Sequence, residues 1–92
     1  MSGQSNTLTG LFEQRMHLIG HLSQENAKHL QFLQRLSGHK VLLMKEPDTE
    51  ETIIAQEDTQ AQLAACQERI ETLESEMNRV DKAIAEAAQK EK

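Results

Sequence analysis

Two histidines and a glutamate at four-residue intervals come nearest to a chemical site in this sequence. His17, His21 and Glu25 would share one face of a helix, and two imidazoles with a carboxylate can hold a divalent metal ion. The set has no cysteine partner, no fourth ligand and no recognised metal motif. Since histidines at this spacing are more often solvated or interface residues, we predict no metal site and no cofactor.

Two other histidines and the single cysteine fall on apolar stripes. Protonation of His29 or His39 at about pH 6 would loosen packing, which leaves a pH- or metal-responsive switch as one alternative function. We favour half-buried histidines with local hydrogen bonds. Cys66 has no cysteine to pair with inside the chain, and we interpret it as a small core residue.

Residues typical of catalysis are missing from the sequence. It contains no glycine-rich phosphate loop, no G-x-S-x-G elbow, and no cysteine with a histidine base on a rigid scaffold. The acidic run that begins at Asp48 does not match a calcium-binding EF-hand loop. We therefore predict that the protein is not an enzyme.

The elements that would position these residues are two long helices. The sequence has 92 residues, of which 37% are apolar, and its only proline is Pro47. Proline disfavours the helical conformation of the preceding residue, so the first helix should end there, and Asp48 can cap the next one. The predicted organisation is a flexible tail at 1–7, one domain at 8–88 (helix about 8–45, turn 46–48, helix about 49–88) and a frayed tail at 89–92.

Apolar residues in the second helix recur at alternating spacings of three and four. This is the period of a coiled coil, and so short a connection permits only an antiparallel return of the chain. The predicted fold is all-α, an antiparallel and coiled-coil-like two-helix hairpin. The residues of the hairpin seam are Leu63, Cys66, Ile70, Leu73, Met77, Val80 and Ile84.

The first helix carries two apolar stripes side by side, which is more than one neighbouring helix can cover. One stripe can pack on the second helix, but the other would stay exposed as a long apolar band. We expect that band to be covered by a second copy, in a dimeric four-helix bundle, or by helices of a partner protein. This partner or self-association face consists of Phe12, Ile19, Leu30, Leu33, Val41 and Met44.

Charge is unevenly distributed along the chain, whose formal net charge is −5. Residues 8–45 carry a net +3, and residues 48–92 a net −7. Opposite signs favour pairing of the first helix with the second. The overall negative charge makes nucleic acid an unlikely partner. No apolar stretch is long enough to cross a membrane and the first residues lack signal-peptide character, so we expect a cytoplasmic protein that binds no membrane.

These features favour a non-enzymatic protein-protein interaction module, such as an adaptor, an assembly subunit or a small chaperone that binds amphipathic helices. In composition the chain resembles the acidic helical hairpins of small secretion and flagellar export chaperones, although no motif carries the likeness. The alternative is a helical dimer that regulates or inhibits a nucleic-acid-associated machine. A ridge formed by Arg15, Lys28, Arg35 and Lys40 would serve that role, but the absence of Trp and Tyr removes most capacity for base stacking.

Overall fold

A computed structural model describes residues 3–90 of the chain, with side chains over 7–90. Two α-helices account for almost all of this range: α1 spans Gly3–Lys45 and α2 spans Glu50–Lys90. The described residues form no strand. The predicted fold class, an all-α helical hairpin, is confirmed.

The observed helix bounds differ from the predicted ones mainly at the amino terminus. α1 begins at Gly3, so residues 3–7, which we expected in a flexible tail, are helical. Ser, Gln, Asn and Thr have only moderately lower helix propensities than Ala, and no proline interrupts the segment. α2 begins one residue later than expected and extends to Lys90, two residues further. The rest of both predicted tails, residues 1–2 and 91–92, lies outside the described residues.

The turn between the helices is closed around the backbone carbonyl of Glu46. This oxygen accepts hydrogen bonds from the backbone amide of Thr49 at 3.3 Å and from its hydroxyl at 3.0 Å. The amide of Ile53 then donates to the carbonyl of Thr49, which starts the hydrogen-bond pattern of α2. Our assignment of Asp48 as the helix cap is therefore wrong. Thr49 immediately precedes α2, and its hydroxyl is turned back to the end of α1.

The described chain divides into two compact units. Within the described residues, we call 3–24 with 71–90 the terminal unit, and Glu25–Ile70 the turn unit. The single domain that we expect at residues 8–88 stays a prediction.

Each unit has a narrow core at its helix seam. In the terminal unit, Leu18 of α1 and Val80 of α2 are buried. In the turn unit, Cys66 and the polar residue Thr59 are buried, both on α2. Narrow cores follow from the sequence period, because spacings of three and four direct only one stripe of each helix towards its neighbour.

Neither described helix has both the length and the apolar character needed to cross a membrane.

Candidate interaction surface

Most of the large apolar side chains exposed on the described surface belong to α1. Eight of the ten lie on this helix, and the other two, Ile53 and Ile54, lie close to the turn on α2. The most exposed is Met44, at 82% of its full accessibility. The eight on α1 are Phe12, Met16, Ile19, Leu30, Leu33, Val41, Leu42 and Met44.

All six residues that we predicted as the partner or self-association face are among these exposed side chains. Phe12 and Ile19 belong to the terminal unit. The other four belong to the turn unit, which by itself presents an apolar surface on α1. Exposure gives these residues the accessibility that a docking role requires, while the role itself stays a prediction. The four in the turn unit, which we call the apolar face, are Leu30, Leu33, Val41 and Met44.

The seven residues predicted for the hairpin seam are all withdrawn from solvent to some degree. Cys66 is fully buried and Val80 almost so. The remaining five, Leu63, Ile70, Leu73, Met77 and Ile84, are half-buried.

A polar cluster crosses the helix seam of the turn unit around Glu25. The guanidinium Nε of Arg69 donates a hydrogen bond to Glu25 Oε1 at 2.8 Å, and Lys28 Nζ lies 3.4 Å from Glu25 Oε2. The thiol of Cys66 donates to the backbone carbonyl of Glu25 at 3.2 Å. The Glu25 side chain keeps only 13% of its accessibility. The Glu25 carboxylate therefore pairs with two cations, and Glu25 links α1 to α2.

The same contacts shift the pKa values of two groups in the cluster, the Glu25 carboxyl and the Cys66 thiol. The hydrogen bond from Arg69 lowers the pKa of Glu25, helped by Lys28 and Cys66 and opposed by partial desolvation. Burial raises the pKa of the Cys66 thiol, and the neighbouring Glu25 carboxylate raises it further. A thiol held protonated in this way is a poor nucleophile. The contacts of this cluster therefore link α1 to α2 and favour the protonated form of the Cys66 thiol.

Both histidines that we placed on an apolar stripe are half-buried and hydrogen-bonded across the turn unit. His39 Nε2 lies 3.1 Å from the hydroxyl oxygen of Thr59, and His29 Nε2 lies 3.4 Å from Gln67 Nε2. Half-burial agrees with the interpretation that we favoured, but the hydrogen-bond partners lie on α2 and are not local.

The candidate metal ligands are not brought together. Among the described residues, no group of three His, Cys, Asp or Glu side chains is placed to hold a metal ion. His17 and His21 are exposed, and the Glu25 carboxylate is engaged by Arg69 and Lys28. The carboxylate is therefore already neutralised by protein cations.

Among its described residues, the terminal unit has one ion pair between its two helices. Arg15 Nε donates a hydrogen bond to Asp81 Oδ1 at 2.7 Å, and both side chains remain more than 40% exposed. Exposed pairs of this kind contribute about 0–1 kcal/mol, so the contact sets helix register more than stability.

Sequence reasoning missed the Glu25 cluster because it treated the seam as purely apolar. Arg69 lies one residue before Ile70 of the predicted seam, and its guanidinium reaches across the seam to Glu25. A signal was present: Leu22, Glu25, His29 and Phe32 continue the alternation of four and three along α1. Polar residues in phase with a seam indicate a cross-helix partner.

Comparison with known proteins gives no match to a family model, a curated protein or a solved structure. Functional inference therefore depends on the residues of the chain itself.

Proposed function

We propose that the protein is a non-enzymatic interaction module whose α1 binds amphipathic helices, as an adaptor, assembly subunit or small chaperone does. The observation that supports it most is the exposed apolar face of α1, formed in the turn unit by Leu30, Leu33, Val41 and Met44. Soluble monomers rarely leave contiguous apolar bands uncovered. Binding would cover these side chains with a helix from a second copy or from a client. We expect this to happen in the cytoplasm.

The residues along the seam give this proposal further support. α2 uses its apolar stripe to pack on α1, and most of its remaining surface is polar or acidic. α1 packs with one stripe and still exposes another. The two helices thus differ in role: α2 completes the hairpin, and α1 is left with the capacity to bind a further helix.

The test combines the solution mass of the protein with binding of a model helix. Light scattering over a range of concentration reports self-association. A labelled amphipathic peptide of about three heptads, with Leu and Ile at the seam positions and neutral residues elsewhere, reports helix binding. We expect a mass above one chain, peptide binding, or both.

Matched variants assign the effect to the apolar face. Leu30→Gln with Leu33→Gln should abolish the association while circular dichroism stays helical, because both side chains are exposed in the free protein. Gln31→Ala with Gln34→Ala changes two exposed residues of the same helix and should have no effect. A wild-type monomer that binds no peptide would refute the proposal, and so would association that persists in the double Gln variant.

A further inference from the structure

The charges around the apolar face indicate what kind of helix it accepts. We infer that in the turn unit this face binds an acidic amphipathic helix of a partner protein, one with an apolar stripe flanked by Asp and Glu. The inference rests on the proposed function and adds the chemistry of the partner to it.

The spacing of the face is that of a helix-binding seam. Leu30 and Leu33 are three residues apart, as are Val41 and Met44, and Ser37 lies four residues from both Leu33 and Val41. Side chains at such intervals form one stripe along α1, and a straight partner helix can follow that stripe over several turns. An extended peptide, whose side chains alternate with period two, would match it poorly.

The charges on this part of α1 are almost all positive. Residues 25–45 contain four bases and a single acid, Glu25. That acid is engaged by Arg69 and Lys28. Within the described residues the other three bases have no carboxylate partner; Arg35 lies over the ring of Phe32 at 5.8 Å, and Lys40 and Lys45 are exposed. Lys40 lies four residues before Met44 and Lys45 lies four residues after Val41, so these two unpaired cations flank the apolar face. Arg35 is three or four residues from none of its members and lies on another side of α1.

The turn unit already contains one helix pair of this type. Residues 46–70 carry seven acids and one base, and α2 packs on the buried stripe of α1 through its own apolar seam. α1 therefore uses one face to bind an acidic amphipathic helix within the chain. The second face repeats the combination of apolar stripe and flanking bases.

A second copy of the chain fits this face less well. Its α1 would bring the same two unpaired bases, Lys40 and Lys45, against those of the first copy, and like charges at an interface oppose association. Its α2 has the complementary charge, but the apolar seam of α2 is already used inside the hairpin. A partner of another sequence, with both acids and a free apolar stripe, satisfies both requirements.

Two model peptides test the charge preference directly. Both have about three heptads and the same Leu and Ile stripe; one has Glu at the flanking positions and the other has Lys. At about 0.05 M salt we expect the wild-type protein to bind the Glu peptide roughly tenfold or more tightly than the Lys peptide. The preference should shrink at about 0.5 M salt, because screening weakens interactions between exposed charges.

Two variants with equal net charge test whether the preference for the Glu peptide depends on the bases beside the apolar face. Lys40→Glu combined with Lys45→Glu should reverse the preference. The control changes two exposed bases of α2, Lys82→Glu and Lys90→Glu, and should keep the preference of the wild type. Equal loss in both variants would show a general effect of net charge and would overturn the inference.

The remaining outcomes separate this inference from the proposed function. If both peptides bind equally, or the Lys peptide binds better, the face binds helices but has no preference for acids, and only the inference fails. If neither peptide binds while Leu30→Gln with Leu33→Gln converts an associated protein into a monomer, a second copy covers the face, and again only the inference fails. If the protein is monomeric and binds no helical peptide, both fail.

Discussion

The thiol of Cys66 on α2 donates a hydrogen bond to the backbone carbonyl of Glu25 on α1, with the sulfur and oxygen 3.2 Å apart. A second contact of 3.5 Å joins the same sulfur to the Glu25 carboxylate. Cys66 is fully buried, and a larger side chain would push the two helices apart at this level. The small residue therefore permits the close approach that also brings Arg69 within 2.8 Å of Glu25.

Replacement of Glu25 by Gln should lower the stability of the protein in a pH-dependent way. The pKa of Glu25 is lowered in the folded protein, first by its hydrogen bond to Arg69. Its ionised form therefore adds stability that is fully present above the unfolded pKa and is lost as the pH falls through the folded pKa. At about pH 7, urea denaturation should give a higher free energy of unfolding for the wild type than for Glu25→Gln. This difference should narrow towards about pH 3.

A control for this prediction removes a carboxylate that is itself far more exposed, since Asp81 keeps 46% of its accessibility and Glu25 only 13%. Asp81→Asn breaks the pair with Arg15 in the terminal unit, where both side chains are accessible to water. We expect a change of at most about 1 kcal/mol there. A gap for Glu25→Gln that stays constant down to acidic pH would contradict the assigned role of its charge.

The Cys66 thiol should react slowly with alkylating reagents while the protein is folded. It is fully buried, and its pKa is raised by burial and by the Glu25 carboxylate, so both access and thiolate formation are suppressed. Modification by a maleimide should follow opening of the hairpin and become fast in denaturing urea. Equal labelling rates in buffer and in urea would show that the thiol is accessible.

Thr59 should stabilise the folded protein through its hydrogen bond with the imidazole of His39. Its hydroxyl lies 3.1 Å from His39 Nε2, and both side chains face the seam of the turn unit. Thr59→Val leaves a half-buried imidazole without this partner, and we expect a loss of about 1–3 kcal/mol in the free energy of unfolding. His39→Leu combined with Thr59→Val should recover part of the loss, which a double-mutant cycle measures. Purely additive effects would exclude the interaction.

Leu18 and Met16 provide a matched comparison of core and surface in the terminal unit. Leu18 is 7% exposed and Met16 is 72% exposed, although only one residue separates them on α1. Leu18→Ala should cost about 2–5 kcal/mol, through lost burial and the cavity that remains. Met16→Ala should change stability by no more than about 0.5 kcal/mol. Thermal unfolding of both variants tests this, and similar losses would indicate that Met16 is also covered in solution.

The helices and their seam could be predicted because they depend on local properties. Pro47 interrupts the helical pattern once, and the intervals of three and four around residues such as Leu63 and Ile70 identify the inward stripe. The surplus apolar residues of α1, including Leu30, also predicted an exposed band. The start of α1 at Gly3 was harder to predict, because polar residues with intermediate helix propensity favour neither a helix nor a tail strongly.

The sequence by itself thus determined two antiparallel helices, their buried stripes and the surplus stripe on α1, since each follows from local propensity and periodicity. Tertiary structure decided which polar residues meet. Glu25 and Arg69 are 44 positions apart, and His39 and Thr59 are 20 apart. Such pairs depend on the register of one helix against the other. A shift of one heptad would keep the apolar stripes in contact but change every polar partner, so only the packed helices specify these pairs.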